Sequence, residues 1–145
     1  MTSTNNTVLL VEDNPDDRDL TIMALKRSRI ANEIDIARDG EEALQYFEDQ
    51  SRPLPVLVLL DLKLPRIMGL DVLKRLRAEE RTKLMPIVVL TSSQQESDRY
   101  QSYVDGVNAY VVKPVEFDAF SEAVKQLGLF WLVINVPPPD RERAG

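Results

Sequence analysis

Apolar residues in this chain come in short blocks, and each block ends on a polar residue that a buried strand cannot hold. The central one is Val56-Leu57-Val58-Leu59-Leu60, followed at once by Asp61 and then by Pro65. Consecutive Val and Leu between prolines predict a strand buried on both faces. An unpaired carboxylate inside such a strand would lose its hydration, so Asp61 belongs at the strand's C-terminal edge. Residues 7–11 form a second block that ends in Glu12 and Asp13. Residues 86–91 form another, ending in the hydroxyl of Thr91, and residues 108–112 a further one, ending in Lys113-Pro114. Ile34-Asp35-Ile36-Ala37 alternates, as a half-exposed edge strand does.

Helical spacing fills the intervals. After Asn14-Pro15 the segment 16–29 places Leu20, Met23, Ala24 and Arg27 on one face. Asp39-Gly40 turns the chain into a helix striped by Ala43, Leu44 and Phe47. Gly69 precedes a third, with Val72, Leu73 and Leu76 inward and Lys74, Arg75 and Arg77 outward. Ser93 and Glu96 have capping-box spacing for a fourth. The last begins near Glu116 and carries Phe117, Phe120, Val124 and Leu127, a stripe that runs on to Trp131 and Ile134.

Strands alternating with helices imply a parallel sheet covered on both faces. With five of each, right-handed crossovers favour an α/β flavodoxin-like (βα)5 doubly wound sheet of strand order 2-1-3-4-5. The expected layout is one domain over residues 1–136, with its core at 7–127 and its last helix reaching about 135. Residues 1–6 are polar and expected to be loose, and 137–145 form a Pro-rich charged tail.

Composition narrows the chemistry. The 145 residues include no cysteine and no histidine, which removes thiolate and imidazole chemistry and most zinc sites. A net charge of −6 argues against direct nucleic-acid binding. No apolar run approaches the roughly 18 residues of a membrane span, and residues 1–7 lack the apolar centre of a signal peptide. A cytoplasmic protein is the expectation.

In the predicted strand order, Asp13 lies beside Asp61, and neighbouring strands bring Thr91 and Lys113 to the same edge. Taken singly, an acid after a strand is usually a helix cap and a lysine there is usually solvated. Converging from four strands, they read better as a site. Clustered carboxylates need a counter-charge, and oxygen ligands without His or Cys favour a hard cation such as Mg²⁺. A carboxylate beside that cation can attack a phosphoryl group whose oxygens an ammonium and a hydroxyl help to neutralise.

Four motifs now carry a resemblance. Val-Glu-Asp-Asn-Pro (11–15), Leu-Leu-Asp-Leu-Lys-Leu-Pro (59–65), Val-Val-Leu-Thr-Ser-Ser (88–93) and Val-Val-Lys-Pro (111–114) occur in order. Together they resemble the receiver domain of two-component response regulators, over about residues 7–127. The resemblance implies Asp61 as phosphoacceptor, Asp13 as a direct Mg²⁺ ligand and Glu12 as one acting through water. It further implies the Lys63 backbone carbonyl as a metal ligand, Thr91 as switch hydroxyl, Tyr110 as switch aromatic and Lys113 as the phosphoryl-pairing lysine. It also implies a cis Lys113–Pro114 bond. Met68 stands where receivers carry Asp or Asn, so the third helix lacks its usual cap.

The stretch 12–17, Glu-Asp-Asn-Pro-Asp-Asp, and the stretch 130–139, Phe-Trp-Leu-Val-Ile-Asn-Val-Pro-Pro-Pro, resemble the small regulators that partner phytochrome-type histidine kinases. The implied function is a phosphoacceptor switch, not a turnover enzyme, which takes its phosphoryl group from such a kinase. Leu129, Phe130, Leu132 and Val133 leave residues 129–134 without a polar face. That predicts either packing onto the domain itself or a homodimer with Phe130 and Trp131 at its interface.

Three rivals are weaker. An FMN carrier would need a phosphate cradle after the first strand, where Glu12, Asp13, Asp16 and Asp17 stand. A phosphatase of the haloacid dehalogenase type would want an acid at position 63, which is Lys. A degenerate receiver serving only as scaffold would lack Asp61 or Lys113, and both are present.

Overall fold

Three strands form the buried centre of the sheet: β1 (Val8–Val11), β3 (Leu57–Leu60) and β4 (Ile87–Thr91) have no exposed residue. The computed structural model describes residues 6–28 and 31–139. β2 (Ile34–Ala37) and β5 (Ala109–Val112) are the edges, and both are more exposed. All pairings are parallel, in the order β2-β1-β3-β4-β5. That is the flavodoxin-like arrangement expected of the pattern.

Alternation along the central strands supplies two cores. Leu9, Val11, Val58, Leu60, Ile87 and Val89 face Ala43 of α2 (Gly40–Glu48) and Val72, Leu73 and Leu76 of α3 (Gly69–Ala78). Val8, Leu10, Leu57, Leu59, Val88 and Leu90 face the other way. They meet Ala24 and Leu25 of α1 (Pro15–Arg27) and Phe120, Val124 and Leu127 of α5 (Phe117–Leu129). Each fully buried Leu or Val contributes about 1.5–3 kcal/mol, which is why strands this short hold the sheet. α4 (Glu96–Val104) buries only Ser102 and is the least embedded helix.

Several expectations are corrected. The buried face of α1 is Thr21, Ala24 and Leu25, and Met23 is exposed. Thr21 can be buried because its hydroxyl donates to the Asp17 carbonyl at 2.7 Å, which turns the stripe by one residue. Helix α1 ends at Arg27, and Arg29, on which the expected helix also fell, lies outside the described residues. The Ser93–Glu96 capping box does not form: Gln95 is the N-cap of α4, and Ser93 instead donates to Asp98 at 2.6 Å. Phe117 is exposed, because it opens α5 before the helix reaches the sheet. No cis peptide bond occurs among the described residues, so Lys113–Pro114 is trans, and the lysine still reaches the carboxylates.

α5 runs on into one π-helical turn, Phe130–Ile134. Trp131 and Leu132 pack against the core beneath α5, whereas Leu129, Phe130, Val133 and Ile134 are exposed. Residues 135–139 follow without regular structure; residues 1–5 and 140–145, parts of the expected loose start and charged tail, lie outside the described residues. Among the described residues, no helix is long and apolar enough to cross a membrane.

Candidate functional site

The register brings the acids together. Val11 pairs with Leu60, so Glu12 and Asp61, the next residues, leave the sheet side by side. Their backbones continue the ladder: Asp61 N–H donates to the Val11 carbonyl at 3.1 Å and Glu12 N–H to that of Ala37 at 3.0 Å. Thr91 pairs with Val112 across β4 and β5, and Lys113 N–H donates to the Thr91 carbonyl at 2.7 Å. Four strand ends therefore deliver five polar side chains to one edge.

Lys113 is the hub. Its ammonium donates to Glu12 Oε1 at 2.6 Å, Asp61 Oδ2 at 2.9 Å and Asp17 Oδ2 at 2.9 Å. Glu12 is 2% exposed and Asp61 5%, so these charges have lost most of their water and depend on each other. Burial raises Glu12 above the usual carboxylate range, against the hydrogen bond from Lys113. Burial alone would lower Lys113, but Glu12, Asp17 and Asp61 together outweigh it and hold the ammonium above the ordinary lysine value.

Asp61 is held at both oxygens, since Lys63 N–H donates to Oδ1 at 3.1 Å while Lys113 takes Oδ2. Asn14 N–H donates to Glu12 Oε2 at 3.2 Å, and the Arg18 guanidinium binds the Glu12 carbonyl at 3.2 Å. Behind Asp61, the chain of 62–68 folds back until Gly69 touches the Asp61 backbone. A Cβ there would collide with the Asp61 carbonyl oxygen, so only glycine allows that approach.

A hard cation fits beside these groups. Glu12, Asp13 and Asp61 each offer a carboxylate oxygen, all within 4.8 Å of one another, and Asp13 is open to solvent. Such an oxygen set, with room for water, is what Mg²⁺ takes. Lys63 lies in the adjoining loop, its N–H on Asp61.

The expected switch pair is linked through Ser93, which the sequence pattern offers only as a helix cap. Thr91 is fully buried, and its Oγ1 accepts from Ser93 N–H at 3.3 Å. Tyr110 OH donates to the Ser93 carbonyl at 3.1 Å, and burial raises its phenol. Ser93 Oγ in turn donates to Asp98 on α4. Asp17 is the other unheralded member. An acid in the first turn of a helix ordinarily reads as a complement to the helix dipole, which conceals that this one reaches Lys113.

Comparison with known proteins agrees with this geometry. Residues 8–125 match the response regulator receiver domain family. The probable methanogenesis regulatory protein FilR2 of Methanothrix harundinacea is 38% identical over 134 residues, which cover 90% of this chain and 86% of FilR2. Response regulator Rcp1 of Synechocystis is 38% identical over 129 residues, covering 86% of this chain and 88% of Rcp1. The crystal structure of Mn²⁺-bound Rcp1 superposes with a TM-score of 0.87 at 36% identity, covering 92% of this chain and 99% of that one. The phosphorylated cyanobacterial phytochrome response regulator RcpA gives a TM-score of 0.89 at 34% identity, covering 94% of this chain and 100% of that one. A five-stranded 2-1-3-4-5 sheet with an acid triad and a lysine at its open edge, matched across its length by such relatives, identifies the chain as a member of the response regulator receiver domain family.

Proposed function

We propose that Asp61 accepts a phosphoryl group from the phosphohistidine of a phytochrome-type histidine kinase, and that the acyl phosphate switches the β4–α4 region. The observation that carries this reading is the contact of Lys113 with Asp61 at 2.9 Å, beside an acid triad that suits a divalent cation. An Asp61 oxygen attacks phosphorus, the O–P bond forms as the P–N bond to the kinase breaks, and the imidazole leaves with a proton from solvent. Lys113 pairs with one phosphoryl oxygen and the Thr91 hydroxyl with another. Glu12, Asp13, Asp61 and the Lys63 carbonyl would hold Mg²⁺, which supplies positive charge toward the phosphoryl oxygens when bound.

Turning Thr91 toward phosphate removes its acceptor from Ser93 N–H, and Ser93 also holds Tyr110 and Asp98. A rearrangement at Thr91 thus reaches β5 and α4 through one residue. The kinase class rests on the likeness to RcpA, a cyanobacterial phytochrome response regulator. FilR2 carries the name of a methanogenesis regulator, which favours a second reading with a kinase of different input. The same reading makes the domain a cytoplasmic homodimer that meets its partners by protein contact, with residues 137–145 as an appended tail. The test is transfer of labelled phosphate from an autophosphorylated phytochrome kinase. Transfer within seconds that Asp61→Asn abolishes supports the proposal. No transfer, with labelling by acetyl phosphate intact, would leave the acceptor and remove the kinase class.

A further inference from the structure

We propose that Asp17 is a positioning residue that holds the third N–H of Lys113 while Asp61 is free and gives it up when Asp61 is phosphorylated. The inference rests on Asp61 being the phosphoacceptor. An ammonium has three N–H donors, and here all three are committed, to Glu12 at 2.6 Å, Asp17 at 2.9 Å and Asp61 at 2.9 Å. With the phosphoryl group carried on Asp61 Oδ1, Oδ2 keeps its N–H, and a phosphoryl oxygen can bind Lys113 only by displacing Glu12 or Asp17.

The two are not equally easy to displace. Glu12 and Asp61 side chains are 2% and 6% exposed, against 31% for Asp17. A released Glu12 would be a charge without water or partner, whereas a released Asp17 turns to solvent. Its backbone does not depend on the contact, because Asp17 N–H donates to the N-cap Asn14 at 3.0 Å and its carbonyl accepts from Thr21. The side chain can therefore swing without loosening α1. Asp17 also sits where it repels an incoming phosphoryl dianion, so it acts against phosphorylation twice, by charge and by competition for the ammonium.

The experiment compares the full chain with Asp17→Asn, Asp17→Ala and Asp16→Asn, each supplied with acetyl phosphate and Mg²⁺. Asp16 is exposed on the same turn and serves as the control for charge alone. Half-maximal occupancy of Asp61 should come at roughly three- to tenfold lower acetyl phosphate in both Asp17 variants, and within twofold of the unsubstituted protein in Asp16→Asn. Beryllofluoride, a stable mimic of the phosphoryl group, gives a readout that a structural role would not move. A crystal structure of the unsubstituted protein with it should show Lys113 off Asp17 and still on Glu12. Equal occupancy curves for Asp17→Asn and Asp16→Asn, or an Asp17–Lys113 contact kept in the beryllofluoride complex, would overturn the inference. Absence of label on the unsubstituted protein would instead overturn the acceptor role of Asp61.

Discussion

Asp61 gives one carboxylate oxygen to an amide and the other to an ammonium, and this arrangement keeps a nearly buried acid aimed outward from the sheet. Ser93 joins Thr91 to Tyr110, its N–H on the Thr91 hydroxyl and its carbonyl on the Tyr110 phenol. Thr91→Ala should still accept phosphate but leave the Tyr110 ring signals in NMR spectra unchanged on phosphorylation; a response of unsubstituted size would break the proposed coupling. Away from the site, Tyr46 OH donates to Asp35 at 2.8 Å, and burial followed by the Asp35 carboxylate pushes the phenol up to about 12. A raised folded pKa stabilises the neutral form, so the benefit is complete below the unfolded value of about 10 and is lost as pH climbs to about 12. Tyr46→Phe should lower unfolding stability by about 1 kcal/mol at neutral pH. Urea titrations should find that gap closing in alkali.

Elements were legible in proportion to how completely they bury themselves. β1 and β3 are apolar throughout and β4 is apolar up to Thr91, so their ends are found by asking where a polar group first becomes tolerable; Glu12, Asp61 and Thr91 stand at those points. α1 was harder, because its charges occupy most turns and a hydrogen-bonded Thr21 replaces an apolar residue on the buried face. The site contacts of Asp17 and Ser93 are concealed for a related reason: each has a local role, as a first-turn acid or a cap hydroxyl, that fits the sequence equally well. The absent cap of α3 was visible from Met68 alone. Its backbone is extended, at φ −67 and ψ 153, its side chain caps nothing, and it is exposed. Met68→Asp should therefore raise unfolding stability by about 1 kcal/mol, measured by urea denaturation, with no change in the site.

At the scale of the whole molecule, two packed faces account for most of the apolar residues, and the turn after α5 leaves a remainder. Trp131 and Leu132 lie on the core, so packing onto the domain itself takes part of the apolar stretch. Phe130, 46% exposed and edge-to-face with Trp131 at 5.1 Å, stands with Leu129, Val133 and Ile134 on the outer side. The proposed homodimer uses that outer side. Phe130→Glu should give a folded, phosphorylatable monomer by light scattering, where the unsubstituted chain scatters as a dimer; a monomeric unsubstituted chain at high micromolar concentration would remove the dimer.

The central claim is that Asp61 takes a phosphoryl group. Intact-mass spectrometry after treatment with acetyl phosphate tests it most directly, with Mg²⁺ and with the metal chelated. One added phosphoryl group per chain is expected with Mg²⁺, little with chelator and none in Asp61→Asn. The same mass gain in Asp61→Asn, or none in the unsubstituted protein with Mg²⁺, would contradict the account.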